Sequence, residues 1–308
     1  MYDRWPCIVV LTALLIGACG NGGDGTDTAT NVAPATESTT APTAVPPTPA
    51  PPPATPTPAP SPTPEPTTSA GEKVACTSAP IESGAVTLSG ERCAPGATDV
   101  GPRPAVVVLN GCGGYEADSD ITAAIVRALA ERGVIGLRID YLAAEPAPAD
   151  TYCDAGAVIG AAQPLLQAVV DGVVHLRADP DVDPERIGAA GYSLGALAAM
   201  AAQLGGAGLT TVTPLDLTAV ALLSYPDQLP TVSIAAGEGR VPPLFLMTGE
   251  DDSTAPPEDA QALVDAATVG GVPTELLLVP GQDHPWRGDA ATSAGAVIAD
   301  YLARQLGA

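Results

Sequence analysis

The stretch Arg186-Ile-Gly-Ala-Ala-Gly-Tyr-Ser-Leu-Gly195 restricts this chain more than any other. A short apolar run ends in Gly191-Tyr192-Ser193-Leu194-Gly195, and the small residues Ala196 to Gln203 follow as a helix. That is G-x-S-x-G between a strand and a helix. So sharp a reversal leaves no room for side chains at the two flanking positions, hence Gly191 and Gly195. It strains the serine backbone and lifts the hydroxyl above the sheet edge. The helix that starts behind Ser193 adds the positive end of its dipole. The same five-residue pattern also occurs as a glycine-rich turn with an idle serine. The strand before it and the helix after it give Ser193 its reading as a nucleophile.

Around that turn the chain alternates between two kinds of segment. Pro104-Ala-Val-Val-Val-Leu-Asn110 is an unbroken apolar run of the kind found in strands buried on both faces. Asp120 to Arg132 places Ile121, Ala124, Ile125, Ala128 and Leu129 at helical spacing and stops at Gly133. Val134–Ile139, Arg186–Tyr192, Thr218–Ser224, Pro243–Met247 and Thr274–Val279 read as further strands. Pro257–Thr268 and Ala290–Leu306 read as helices, and Gly156–Arg177 as a long helix interrupted at Pro164. Strands alternating with helices predict an α/β fold: a mostly parallel sheet with helices on both faces, in one domain over residues 73–308. Lys73–Cys76 and Ala85–Cys93, with Ser83-Gly84 between them, predict an edge hairpin ahead of it.

The first part of the chain is different. Residues 1–19 carry one basic residue, Arg4, then the apolar run Ile8–Ile16 and small residues, which reads as a secretory signal. The run is too short for a comfortable membrane span. Ile16-Gly17-Ala18-Cys19 resembles a bacterial lipobox. That resemblance implies cleavage before Cys19 and a diacylglyceryl group on its sulfur, hence an extracytoplasmic domain lipid-anchored to the bacterial cell membrane. Residues 20–72 are dominated by Pro, Thr, Ala and Gly, with almost nothing to bury, and predict a disordered linker of polyproline character. The formal charge is −23 with 12 Lys+Arg, which argues against nucleic acid as a partner. The domain is expected to be monomeric.

A serine hydroxyl needs a base to take its proton. The chain has 2 histidines, so the choice lies between His175 and His284. His175 falls in a helix ahead of the strand that carries Ser193, away from the strand ends where such sites are built. His284 sits in Pro280-Gly-Gln-Asp-His-Pro-Trp286, just after the last strand, and is the expected base. The chain order Ser…Asp…His puts an orienting carboxylate between them, after a strand. Leu244–Gly249 is that strand, and Glu250-Asp251-Asp252 follows it. Asp283, adjacent to His284, would point away in an extended loop. Backbone N–H donors for a developing oxyanion would come from Leu194 and from Cys112 or Gly113 in Asn110-Gly-Cys-Gly-Gly114. No cofactor and no metal is implied, since histidines are scarce and the cysteines widely spaced.

From about Val74 onward the chain resembles the α/β-hydrolase superfamily, and within it the dienelactone hydrolase-like group of exported enzymes. The matching pieces are Gly-Cys-Gly-Gly114 after a strand, Asp179-Pro-Asp-Val-Asp-Pro-Glu-Arg-Ile-Gly188 before the serine turn, Gly249-Glu-Asp-Asp-Ser-Thr-Ala-Pro256, and Gly281-Gln-Asp-His284. Similar proteins place the acid three residues after the counterpart of Gly249, which favours Asp252 over Asp251. Two departures stand out. Many relatives have His where Asn110 stands, and dienelactone hydrolase proper has Cys at the position of Ser193, so its substrate is not carried over. The resemblance implies a serine hydrolase acting on small carboxylic esters through an acyl-enzyme. A peptidase or acyltransferase would use the same three residues, and a non-catalytic binding domain would use the same fold.

The cysteines divide three ways. Cys7 leaves with the signal and Cys19 is the proposed anchor. Cys76, Cys93, Cys112 and Cys153 remain in the exported domain and allow three pairings. The expected one joins Cys76 to Cys93 across the edge hairpin and Cys112 to Cys153 between two loops on the site face. Tyr115, Tyr192, Tyr225 and Trp286 are expected to wall a pocket, with Tyr225–Val241 as a short cap.

Overall fold

The computed structural model describes residues 74–96, 101–226 and 241–308. The signal run, Cys19, the linker over 20–72 and most of the expected cap lie outside the described residues.

Ten strands and six helices carry the fold of the described residues. The chain enters through β1 (Ala75–Ser78), β2 (Ile81–Ser83), β3 (Val86–Leu88) and β4 (Gly90–Ala94). It then runs β5 (Arg103–Leu109), α1 (Ser119–Glu131) and β6 (Ile135–Ile139). Two 3₁₀ turns, Tyr141–Ala144 and Ala149–Cys153, lead to α2 (Ala155–Gly160) and α3 (Ala162–Ala178). Next come β7 (Val182–Tyr192), α4 (Leu194–Gln203) and β8 (Ala219–Leu223). Last are β9 (Leu244–Gly249), α5 (Pro257–Val269), β10 (Thr274–Val279) and α6 (Gly288–Leu306). None of these helices is long and apolar enough to cross a membrane.

One sheet holds 8 strands in the order β1-β4-β6-β5-β7-β8-β9-β10. From β6 to β10 every neighbour is parallel, while β4 and β1 close one edge antiparallel. Alternate residues of β5 serve opposite faces, as a period of two requires. Val107 and Leu109 join the layer under α3, α4 and α5, whereas Val106 and Val108 join the layer under α1 and α6. All four are fully buried. Each such side chain contributes on the order of 1.5–3 kcal/mol of burial.

Two expectations change in detail. The edge hairpin is two pairings: Ser83-Gly84 turns a small separate sheet, β2 with β3, and the edge of the main sheet is β1 against β4. The long helix over 156–177 is split at Ala161. Pro164 is the third residue of α3, in the first turn, where a missing N–H breaks no helical hydrogen bond.

The sheet order places the site. After β5 the chain builds β6 on one side and then crosses to build β7 on the other. The strand order therefore reverses at β5, and open sheets of this kind build their sites at the carboxyl ends of the strands on either side of such a reversal, here β5 and β7. The segments leaving β5, β7, β8, β9 and β10 all start at that edge.

Candidate active site

Ser193 sits between β7 and α4 with φ 53° and ψ −120°. This left-handed conformation costs a non-glycine residue about 1–3 kcal/mol and persists only where the surroundings impose it. Here close-packed backbone imposes it, at an approach that only glycine at 191 and 195 leaves room for. A Cβ on Gly191 would lie 2.3 Å from Gly195 O, and one on Gly195 would lie 2.5 Å from Leu109 O. Ser193 N donates to Leu223 O at 2.9 Å, and Ser193 O accepts from Ala196 N at 2.9 Å. The turn is thus fastened to β8 behind it and to α4 ahead.

The other two side chains arrive from the far strands. His284 Nε2 lies 3.0 Å from Ser193 Oγ, and His284 Nδ1 lies 2.9 Å and 3.0 Å from the two oxygens of Asp252. Asp252 is 2% exposed, and its Oδ1 also accepts from Ala255 N at 2.8 Å and Thr254 N at 3.0 Å. Burial by itself would raise this carboxyl. Hydrogen bonds from His284, the Ala255 N–H and Ser224 outweigh it and hold the group below the usual carboxylate range. Asp252 stays ionised and fixes the imidazole with its proton on Nδ1, which leaves the Nε2 lone pair facing Ser193.

The alternatives take other places. Asp251 is exposed, and its backbone N–H donates to Gln282 O at 3.1 Å. Asp283 accepts the His284 backbone N–H at 2.7 Å, so it shapes the loop without meeting the ring. His175 is half-buried in the last turn of α3.

The loop after β5 lies against the serine turn. Gly114 N donates to Gly111 O at 3.1 Å, which closes a tight turn with Cys112 and Gly113 at its centre. The Cβ position of Gly111 is 3.1 Å from Ser193 Cβ. Leu194 is the first residue of α4, and its N–H is among those a helix leaves without an internal partner. The expected disulfides are both present, Cys76–Cys93 and Cys112–Cys153. The second ties this loop to the 3₁₀ turn Ala149–Cys153.

Residues 93–302 match the family described as dienelactone hydrolase. The chain belongs to the dienelactone hydrolase family. Its fold is that of the α/β hydrolases, shared with solved structures of low identity. A dienelactone hydrolase-like promiscuous phosphotriesterase from metagenomic libraries superposes with TM-score 0.60 at 18% identity, over 75% of this chain and 98% of that one. Thermogutta terrifontis esterase 2, phosphoramylated by tabun, gives 0.57 at 19% identity, over 75% and 95%. Est1E from Butyrivibrio proteoclasticus gives 0.56 at 16%, over 75% and 99%. No curated protein matches the sequence.

This member of the dienelactone hydrolase family braces the site with residues the sequence did not single out for that work. Ser224, at the end of β8, is fully buried with φ 50°. Its hydroxyl accepts from Trp286 Nε1 at 3.1 Å and its side chain also bonds Asp252. Trp286 is 3% exposed and buttresses the loop that carries His284. Tyr192 is likewise buried, and its hydroxyl donates to His284 O at 3.0 Å. The available clue was position, since Ser224 ends the strand lying between those of Ser193 and Asp252.

Proposed function

We propose that the protein is a serine hydrolase of carboxylic esters, working through an acyl-enzyme on Ser193. The observation that carries this reading is the unbroken line from Ser193 Oγ through His284 to buried Asp252. Family membership supports hydrolysis as the reaction class. His284 Nε2 takes the hydroxyl proton as Ser193 Oγ attacks the acyl carbon, and the imidazolium is stabilised by Asp252. The carbonyl oxygen becomes an oxyanion facing the N–H groups of Leu194 and of Cys112 or Gly113, each worth about 2.7–4 kcal/mol of barrier. Collapse expels the alcohol, which leaves with the proton from His284. Water then repeats the sequence on the acyl-enzyme, with His284 as base, and restores Ser193.

A fluorophosphonate probe should label the wild-type protein at Ser193, located by peptide mass, and short p-nitrophenyl esters should be turned over. Ser193→Ala should lose the label and on the order of 10⁴–10⁶-fold in turnover. Wild-type turnover in that variant would sink the reading.

The site is held outside the cytoplasm, on a lipid anchor at Cys19 with residues 20–72 as the spacer. Two disulfides in a domain of this size suit an oxidising compartment. Cys19→Ala should move the protein from the membrane fraction to the soluble one. Retention of that variant on membranes, resistant to salt, argues against the anchor.

A further inference from the structure

Asp118 stands at the N-cap of α1, where an aspartate usually accepts from the N–H groups of the first turn. It makes no such bond. Its side chain turns instead into the loop leaving β5. Oδ1 lies 2.9 Å from where a Cβ on Gly113 would sit, and Oδ2 lies 3.0 Å from that point on Gly111. The same Gly111 point is 3.1 Å from Ser193 Cβ and 3.2 Å from Tyr192 Cδ1. The carboxyl, the glycine and the serine therefore stand in contact in that order. Asp118 is 7% exposed, and its Oδ2 is buried with no hydrogen-bond partner.

This is a costly place for a charge. Burial pushes the Asp118 carboxyl above the usual carboxylate range, while the Arg287 guanidinium, the Gly111 N–H and the His284 ring act in the other direction. The Tyr192 and Tyr141 hydroxyls beside it are pushed up as well, by burial first and then by this carboxylate. Arg287 also donates to Ala117 O at 2.6 Å. It follows His284 by three residues, so it links the chain next to Asp118 to the loop that carries His284. A buried acid that caps no helix, and whose two oxygens both rest on one turn, has that turn as its evident work.

We propose that Asp118 is a positioning residue: it holds the Gly111–Gly113 turn against Ser193 and so sets the second oxyanion donor. It touches no reacting atom and acts through the backbone of the turn. The proposal rests on the serine hydrolase reading above.

The test compares full-length, disulfide-intact Asp118→Asn and Asp118→Ala with the wild type. The readouts are kcat and KM on a p-nitrophenyl ester, the rate of fluorophosphonate labelling, hydrogen exchange of the 111–114 amides and the melting temperature. The Ala variant should lose about tenfold or more in kcat, and the Asn variant less, with labelling slowed in parallel. KM should stay within about twofold. The 111–114 amides should exchange faster. The Asn variant should melt no lower than wild type at neutral pH. An acid whose folded pKa is raised binds its proton more tightly when folded, so its contribution to stability falls as pH rises through that value. A lower melting temperature with unchanged kcat per labelled site would make Asp118 merely structural and overturn the proposal. Unchanged labelling and unchanged loop exchange in the Ala variant would overturn it too, and leave the hydrolase reading standing. A wild-type protein that takes no label at Ser193 overturns that reading, and the catalytic half of this proposal with it.

Discussion

The two loops expected to supply oxyanion donors are built in opposite ways. The serine turn is held by its own backbone: two glycines, a strained φ at Ser193, and a helix that begins at the next residue. The Asn110–Gly114 loop is held by side chains, most of them from elsewhere. Tyr141 Oη donates to Asn110 O at 3.1 Å, Asn110 Nδ2 donates to Gly111 O at 2.8 Å, Cys153 bonds Cys112, and Asp118 lies beneath Gly111 and Gly113. A site made from two such halves is held on one side mainly by the backbone of the turn and of the strand beside it. On the other side it is only as firm as its tethers.

The largest effect should come from the point where the halves touch. A Cβ on Gly195 would lie 2.5 Å from Leu109 O and 2.6 Å from Asn110 O, both backbone atoms at the root of the tethered loop. No rotamer change relieves that contact, so Gly195→Ala must push the two loops apart. The expected loss in kcat is on the order of 10²–10³-fold, the size of one misplaced oxyanion donor. A folded Gly195→Ala protein with near wild-type kcat would falsify the claim that the two loops meet there under constraint.

The same contrast explains what could be read in advance. The serine turn is local, and five consecutive residues spell it out. His284 follows from scarcity; chain order narrows the acid to the residues after Gly249, and the resemblance to related hydrolases is what favours Asp252. The parallel sheet follows from unbroken apolar runs such as Val106–Leu109. What stayed hidden depends on neighbours far apart in sequence. Ser224 looks like any strand-end serine until Trp286 and Asp252 are seen beside it. Asp118 lies just ahead of the helix expected from Asp120, and nothing in the chain tells that its side chain turns toward Gly111 and Gly113. That Trp286 and Tyr192 bond Ser224 and the His284 carbonyl is likewise not written locally. The early strands misled for a related reason. Ser83-Gly84 marks a real turn, but which strand joins the main sheet is settled by β6, against which β4 pairs.

The two disulfides turn that contrast into a smaller, cleaner measurement. Cys112–Cys153 spans a sequence separation of 41 and tethers the donor loop, whereas Cys76–Cys93 spans 17 and joins directly opposed residues of β1 and β4 at the sheet edge. Loop-closure entropy alone assigns them about 4 and about 3 kcal/mol of stability, respectively. Their stability effects should therefore be similar and their catalytic effects different. Replacing both Cys112 and Cys153 by Ser keeps the Cys112 backbone N–H but frees the loop. It should lower the melting temperature and cost about tenfold in kcat, less than Gly195→Ala because Tyr141 and Asp118 still hold the turn. The Cys76→Ser, Cys93→Ser protein should melt lower by a comparable amount while its kcat, normalised to sites titrated by fluorophosphonate, stays within about twofold of wild type. Equal loss of kcat in both double variants would mean that the disulfides act only through global stability. The donor loop would then owe nothing special to the bridge at Cys112, and the division between a self-held and a tethered half would fail where it is easiest to measure.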